Sequence, residues 1–224
     1  MGTKTVSLRP KYRSDPDLAA DSQPTLFEDA ALIVRIKRGE TEAYGDLVRR
    51  YQDRVFNTCW RICGHLEDAR DLTQEAFLRA YERISDFREQ SGFYTWIFRI
   101  AVNLSLSHRR LASRRRAVSL DDSMAASGTQ AQQLAEQVAG QSGHESAEPA
   151  SDAALQGQVA HALLGLEPDY RAVVVLRDIE GMDYQMVSHI LNIPVGTVKS
   201  RLFRARTALR HALDTPSQRD ATER

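Results

Sequence analysis

A gap in hydrophobic periodicity is the feature that most constrains this chain. Apolar residues recur every three or four positions over residues 29–116 and again over 153–213, as amphipathic helices require. Residues 117–152 between these blocks are rich in Ala, Ser, Gln and Gly and contain no Lys or Arg. Such a segment buries too little apolar surface to offset its ordering entropy. We therefore predict an all-α fold of two small helical domains joined by a flexible acidic linker.

The two ends of the chain lack this periodicity. Residues 1–28 hold three prolines and few large apolar side chains, which predicts a disordered tail, and residues 214–224 form a short C-terminal tail. Inside the first block, Gly39 is placed to end the first helix, Thr41 to cap the second and Gly64 to end the second. In the second block, Asp183 is placed to cap a short helix.

Charge is distributed unevenly along the chain, although 30 basic and 30 acidic side chains give a net charge of zero. Residues 31–116 hold 17 basic and 11 acidic side chains, a net charge of +6. Residues 156–213 hold 7 and 5, a net charge of +2, whereas residues 117–155 hold 6 acidic and no basic ones. This asymmetry suggests a polyanionic partner for the basic blocks.

Several classes of protein are excluded by simple counts. No apolar run approaches the roughly 20 residues that a membrane-spanning helix needs, and no apolar stretch follows the basic N-terminus as in a secretory signal. We expect a cytoplasmic protein without direct membrane insertion. Cys59 and Cys63 stand at i, i+4 and could hold half a metal site, but buried small side chains are the better interpretation because no matching His or Cys pair lies nearby. No catalytic motif is present, so we expect no enzyme, no metal and no cofactor.

The end of the second block has the pattern of a helix-turn-helix. Residues 184–191 predict a supporting helix, 192–196 a tight turn and 197–213 a recognition helix. No acidic residue lies between Asp183 and Asp214. The side chains left to face a DNA major groove are Thr197, Lys199, Ser200, Arg201 and Arg204. A solvated basic helix is the alternative, and the turn chemistry together with the charge favours DNA.

Two further surfaces in the first block go beyond a plain bundle. On the third helix a mostly polar stripe, with Phe77 and Leu78 as apolar anchors, suits docking on a basic protein surface, although a solvated face explains the spacing equally well.

The fourth helix carries Arg99, Asn103 and Arg110 opposite its core side and aromatic residues near its start. Basic groups follow a phosphate backbone and exposed aromatics stack on unpaired bases. For Trp96 a place in the core is the favoured interpretation.

Three stretches of sequence together resemble a known family. They are DARDLTQEAFLRAY (68–81), FYTWIFRIAVN (93–103) and GMDYQMVSHILNIPVGTVKSRLFRARTALR (181–210). In this order and separation they resemble bacterial sigma-70 factors, and the spacing is similar to that of the extracytoplasmic function group, which keeps only domains two and four. The resemblance implies sigma domain 2 over residues 29–116 and sigma domain 4 over residues 153–213.

The resemblance also implies roles for individual residues. Those that would dock on the clamp helices of the largest core-polymerase subunit are Asp71, Gln74, Glu75, Phe77 and Leu78. Those that would capture the melted −10 element are Phe87, Phe93, Arg99, Asn103, Arg109 and Arg110. Those that would read the −35 duplex are Thr197, Lys199, Ser200, Arg201, Arg204 and Arg206.

The implied partners are core RNA polymerase, through its clamp helices and flap, and promoter DNA. An anti-sigma factor, in this group often membrane-bound, is implied as a further partner. We expect the free chain to be a monomer because it shows no dimerisation heptads. The alternative is a self-sufficient helix-turn-helix regulator that acts without polymerase, in which the docking stripe of the third helix would be idle.

Overall fold

A computed structural model describes residues 22–87, 92–118 and 150–214, and side chains within 27–87, 92–115 and 157–214. These residues form helices and turns without any strand, so the all-α prediction is confirmed for the part of the chain that the structure describes. Residues 1–21, most of the expected linker (119–149) and the C-terminal residues 215–224 lie outside the described residues.

The described part of the N-terminal unit consists of four helices. They are α1 (Ser22–Lys37), α2 (Thr41–Cys63), α3 (Leu66–Glu82) and α4 (Phe93–Val118), with a 3-10 turn at Ile84–Asp86. Helices α2, α3 and α4 pack on one another, and α1 packs on α2. The buried apolar side chains at their centre include Leu47, Val55, Ala76, Ile97 and Ala101, which occupy the i, i+3, i+4 positions that amphipathic helices bury.

The start of this unit differs from the prediction in two places. Helix α1 begins at Ser22, inside the expected tail, and Pro24 stands in its first turn, where a missing backbone donor costs nothing. Thr41 does not cap α2; it is the first helical residue, and Glu40 at the N-cap makes no side-chain cap bond. Instead, Asp29 anchors α1 on α2, where it accepts hydrogen bonds from the Tyr51 hydroxyl and from Arg50.

The end of α2 depends on a glycine, as predicted. Gly64 has φ 77°, a left-handed conformation that disfavours residues with a Cβ, and its N–H donates to the Trp60 carbonyl at 2.7 Å. A Cβ on Gly64 would lie 2.8 Å from Cδ2 of Leu164. The glycine thus ends the helix and lets the second half of the chain approach it closely.

The C-terminal unit is built around its last helix. It contains α5 (Ala150–Gly165), α6 (Pro168–Val174), which continues as a π-helical turn at Val175–Ile179, α7 (Tyr184–Leu191) and α8 (Val195–Asp214). Helix α8 packs against the other three helices. The predicted cap of α7 is confirmed, since Oδ1 of Asp183 accepts from the Met186 N–H at 2.8 Å. The recognition helix begins at Val195, two residues before the predicted start, because Asn192 alone makes the left-handed corner, with φ 54°.

The two units contact each other. Helix α7 lies on α4, and α6 with its π-helical turn lies on α2. The buried apolar side chains of both units belong to one core cluster. Among the described residues, no helix is long and apolar enough to span a membrane.

Candidate nucleic-acid and protein interfaces

The predicted docking stripe lies on the outer face of α3. Asp71 and Gln74 are exposed, and Leu78 keeps 51% of its surface in solvent despite being apolar. Glu75 is half-buried and accepts a hydrogen bond from Nε of Arg79 at 2.6 Å. An exposed leucine among acidic and amide groups is the surface that the sequence predicts for protein docking.

Phe77 has a different place from the rest of the stripe. Its side chain is 7% exposed and lies in the core, and its carbonyl accepts a hydrogen bond from the Tyr44 hydroxyl. Burial raises the pKa of Tyr44 well above its usual range. The second exposed aromatic or aliphatic group on this face is Tyr81, whose ring lies 4.9 Å from that of Tyr44. Sequence reasoning missed Tyr81, although its i+3 spacing from Leu78 was a usable signal.

A polar cleft lies between α3 and α4. It has a volume of about 380 Å³ and is lined by Arg79, Arg83, Trp96, Arg99, Ile100, Asn103, Leu104 and Ser107. Arg99 and Asn103 are exposed. The cleft therefore combines three guanidinium groups with an indole ring and an amide, the chemistry that holds a phosphate and an unstacked base.

The aromatic residues near this cleft are arranged differently from the prediction. Phe87 and Phe93, expected to contact bases, are 5% and 1% exposed and lie in the core. Trp96, expected in the core, is only half-buried and lines the cleft. Its ring packs on Phe87 at 4.9 Å and on Phe93 at 5.9 Å between centroids. The two phenylalanines thus support a tryptophan that faces solvent, because α4 buries the face defined by Phe93, Ile97 and Ala101.

Arg109 and Arg110 are both engaged within the chain. Arg109 donates from Nη1 to the carbonyl oxygen of Cys63 at 3.1 Å, at the C-terminal end of α2. Arg110 pairs with Asp169 of the C-terminal unit, with 3.1 Å between Nη2 and Oδ1. A cation at a helix C-terminus meets unpaired carbonyls and the negative end of the helix dipole, so Arg109 stabilises the end of α2.

Helix α8 presents a basic face away from its core side. Val198, Leu202 and Ala205 are buried, which leaves Lys199, Ser200 and Arg204 exposed. Thr197 is half-buried, and its carbonyl accepts a hydrogen bond from the Ser200 hydroxyl at 3.0 Å. The ammonium of Lys199 lies 5.5 Å from the centroid of the Tyr184 ring.

Phe203 stands on the same face and is 73% exposed. It follows Lys199 by four residues and Ser200 by three, so the three side chains are neighbours on the helix surface. A phenylalanine held in solvent on a basic helix suits apolar contact with a thymine methyl group. Sequence reasoning missed Phe203, although its position between Lys199 and Arg204, outside the apolar stripe, was a usable signal.

Two arginines of α8 are paired with carboxylates. Arg201 is half-buried and lies 3.4 Å from Asp169, measured from Nη2 to Oδ2. Both Nε and Nη2 of Arg206 donate to the carboxylate of Asp178, which raises the pKa of the arginine. Arg206 therefore fastens α8 to the turn that follows α6, within the C-terminal unit.

The described residues offer no metal centre. Cys59 and Cys63 are free and buried, and burial raises the pKa of the Cys63 thiol to about 12. In the ranges that the structure describes, no three His, Cys, Asp or Glu side chains are grouped so that they could hold a metal ion.

Comparisons with known proteins cover both units. The family description "Sigma-70 region 2" matches residues 47–115, and "Sigma-70, region 4" matches residues 156–209. The chain is 35% identical over 181 residues to the ECF RNA polymerase sigma factor SigW of Bacillus subtilis, across 81% of this chain and 94% of the relative. It is 33% identical to the ECF RNA polymerase sigma-E factor of Escherichia coli K12, across 81% of this chain and 92% of the relative.

Solved structures share the fold of this chain. CnrH in complex with the cytosolic domain of CnrY matches with a TM-score of 0.59 and 25% identity, over 85% of this chain and 99% of that one. The sigma factor RpoE of Bartonella quintana, in complex with the anti-sigma factor NepR, matches the fold with a TM-score of 0.59 at 22% identity, over 78% of this chain and 98% of that one.

Proposed function

The chain belongs to the extracytoplasmic function group of sigma-70 RNA polymerase sigma factors, and on that premise we propose where it contacts polymerase and promoter. A sigma factor binds core RNA polymerase and directs it to promoters. One observation carries the assignment of surfaces. The exposed stripe on α3 lies in the part of the chain that matches region 2, and the exposed basic face on α8 lies in the part that matches region 4.

Core polymerase binds the α3 stripe. Asp71, Gln74 and Glu75 supply acidic and amide groups, and Leu78 with the neighbouring Tyr81 supplies exposed apolar surface. Complementary charge would steer and orient the encounter, and the apolar pair would provide the buried centre of the interface. Phe77 does not contact the polymerase itself. It is buried under the stripe and holds α3 against α2. The partner surface is the clamp helices of the largest subunit, and the C-terminal unit contacts the flap.

The melted −10 element binds in the cleft between α3 and α4. Trp96, half-buried at the cleft, offers its indole ring to an unstacked base, Asn103 offers an amide for the polar edge of that base, and Arg99 offers a positive charge for the backbone. Phe87 and Phe93 hold Trp96 in place through ring contacts. Arg110 reaches the DNA backbone only after it has left Asp169, and Arg109 keeps its place at the end of α2.

The −35 duplex binds α8 in its major groove. Lys199, Arg204 and Phe203 reach base edges, and Ser200 and Thr197 lie near the helix N-terminus, where phosphate contacts are favoured. Arg201 joins them when it is released from Asp169. Arg206 supports the helix through Asp178 rather than reading bases.

The comparisons support a proposal for the regulation and the location of the chain. CnrH is solved with the cytosolic domain of CnrY, and RpoE with an anti-sigma factor. We propose that a protein of the anti-sigma kind also covers this chain, and that the chain works in the cytoplasm. We assign it no catalysis of its own, since nucleotide addition belongs to the polymerase.

Two charge reversals test the assignment of surfaces. Arg201→Glu with Arg204→Glu should abolish promoter-dependent transcription, because it places negative charges on the helix that is proposed to enter the major groove. It should leave core binding intact, because the proposed docking residues lie on α3 and are unchanged. Asp71→Arg with Glu75→Arg should abolish core binding and leave the fold and the DNA face intact. Transcription from promoter fragments and co-purification with core polymerase measure the two properties separately. Promoter-dependent transcription that survives both pairs would contradict the proposed sites.

The regulator that acts without polymerase makes a different prediction. In that case the Asp71→Arg, Glu75→Arg variant would keep all of its effect on transcription, since its DNA-binding helix is unchanged. The match to region 2 over residues 47–115 favours the sigma factor.

A further inference from the structure

The main chain at Phe87 is held by a residue from another helix. Phe87 follows the 3-10 turn at Ile84–Asp86 and is 5% exposed. Its N–H donates to the carbonyl oxygen of Ile84 at 3.2 Å, within the turn. Its own carbonyl oxygen accepts a hydrogen bond from Nζ of Lys37 at 2.9 Å, although Lys37 stands 50 positions earlier in the sequence. Because a covered backbone carbonyl needs a hydrogen-bond partner, Lys37 fixes the place of Phe87.

Helix α1, which ends at Lys37, is itself anchored in the N-terminal unit. Ile33 and Ile36 are 1% and 7% exposed and pack α1 into the core. The carboxylate of Asp29 is also buried, and it accepts hydrogen bonds from two side chains of α2. The helix contacts the 3-10 turn as well. The ammonium group of Lys37 therefore reaches Phe87 from a helix that three buried side chains hold in place.

The ring of Phe87 transmits this position to the cleft between α3 and α4. Its centroid lies 4.9 Å from that of Trp96 and 6.3 Å from that of Phe93. Phe93 is 1% exposed and belongs to the core, so its place is set by the packing of α4. Trp96 is half-buried and lines the cleft. A shift of Phe87 would therefore remove the support on one side of the indole ring and leave the support from Phe93.

We propose that Lys37 is a positioning residue for the −10 element, because its hydrogen bond to Phe87 holds the ring on which Trp96 rests. Lys37 itself contacts no base. It sets the angle and the depth at which the indole ring meets one. The proposal rests on the assignment of the cleft to the melted −10 element, made above. It adds α1, a helix outside the surfaces assigned so far, to the promoter-binding part of the chain.

A purely structural role for Lys37 makes a different prediction. In that case the hydrogen bond would serve only to join α1 to the 3-10 turn. Its loss would lower stability, and it would leave the exposure of Trp96 and the opening of promoters unchanged. Measurements that follow Trp96 itself separate the two roles.

Three variants of the full chain isolate the hydrogen bond. Lys37→Met keeps a long, unbranched side chain and removes the donor. Lys37→Arg keeps a charged donor and should restore the contact. Arg38→Met is the matched control, since it removes the same charge at the next residue, which is also exposed. Circular dichroism should show equal helix content for the wild type and all three variants.

Acrylamide quenching of tryptophan fluorescence measures how firmly Trp96 is held. The chain has two tryptophans, and Trp60 is 2% exposed, so the quenching reports mainly on Trp96. Lys37→Met should raise the quenching constant, because the indole ring loses support and becomes more accessible. The wild type, Lys37→Arg and Arg38→Met should give equal, lower constants.

Promoter opening measures the consequence for DNA. Each protein is assembled with core polymerase on a promoter that the wild-type chain uses, and permanganate detects the unpaired thymines. Lys37→Met should open about fivefold less promoter at equal holoenzyme concentration, the scale of one hydrogen bond. Lys37→Arg and Arg38→Met should open it as the wild type does. Affinity for core polymerase should be equal in all four proteins, because the α3 stripe is unchanged.

Equal quenching in Lys37→Met and Arg38→Met would overturn the proposal, and so would normal promoter opening by a Lys37→Met variant whose Trp96 is loosened. A loss in Lys37→Arg as large as that in Lys37→Met would also overturn it, because the hydrogen bond would not be the cause. A failure of the proposed function looks different. The wild-type chain would then open no promoter, which removes the −10 role of Lys37, whereas the quenching would still report whether Lys37 supports Trp96.

Discussion

The α3 stripe and the surfaces proposed for promoter DNA are both polar helix faces, yet they differ in what they contact within the chain. Asp71, Gln74 and Leu78 are open to solvent, and no rearrangement is needed for a partner to reach them. Arg110 and Arg201 instead share the Asp169 carboxylate. The α3 stripe is therefore accessible to a partner as it stands, whereas Arg110 and Arg201 must leave Asp169 before they contact anything else.

The largest expected effect distinguishes a buried aromatic residue from a half-buried one at the cleft between α3 and α4. The first should affect stability and the second promoter opening. Phe93→Ala removes a 1%-exposed ring and should cost about 3–5 kcal/mol of unfolding free energy. Trp96→Ala, at the half-buried neighbour, should leave most of the stability and weaken promoter opening. Chemical denaturation and permanganate footprinting measure the two properties. If Trp96→Ala melted promoters normally, the cleft would not be the base-binding site.

The next effect tests whether the α3 stripe is a docking site at all. Leu78→Glu should weaken binding to core polymerase by about 2–4 kcal/mol, roughly 30- to 1,000-fold, because it places a charge at the apolar centre of the interface. Fluorescence anisotropy with labelled chain measures the affinity. Arg70→Ala, one position before the stripe on the same helix, is the control and should bind normally. Equal loss in both variants would point to damage of α3 rather than to a contact.

A smaller effect distinguishes two arginines that stand two residues apart on α8. Arg204→Ala should lose about 1–3 kcal/mol of −35 binding with little change in stability, since the side chain is exposed. Arg206→Ala should mainly lower the thermal stability of the C-terminal unit, because it leaves Asp178 without its bidentate partner. Footprinting and thermal unfolding separate the two results. If Arg204→Ala lowered stability and Arg206→Ala weakened −35 binding, the two roles assigned here would be wrong.

The smallest effect concerns the cap of α7. Asp183→Ala removes the bond to the Met186 N–H and should cost about 1 kcal/mol of stability in the C-terminal unit. Calorimetry should show a drop of a few degrees in its melting temperature. Core binding through α3 should not change, and a change would mean that the stripe depends on the C-terminal unit.

Local patterns in the sequence predicted the helices, the glycine end of α2 and the Asp183 cap, because each depends on residues within one or two turns. The places of Trp96, Phe87, Phe93 and Phe77 could not be predicted in the same way. A residue at the border of a helix face is buried or exposed according to the neighbouring helix, which periodicity does not describe. The hydrogen bonds that Glu180 accepts from Arg54 and Thr58 also escaped prediction, since they join residues more than 100 positions apart.

In vitro transcription tests the central claim most directly. The purified chain is added to bacterial core polymerase free of sigma subunits, with a pool of upstream genomic fragments as template, and the transcript starts are sequenced. A sigma factor should give discrete starts that share two upstream elements and disappear when the chain is omitted. No new starts, together with no co-purification with core polymerase, would contradict the account and favour a regulator that acts without polymerase.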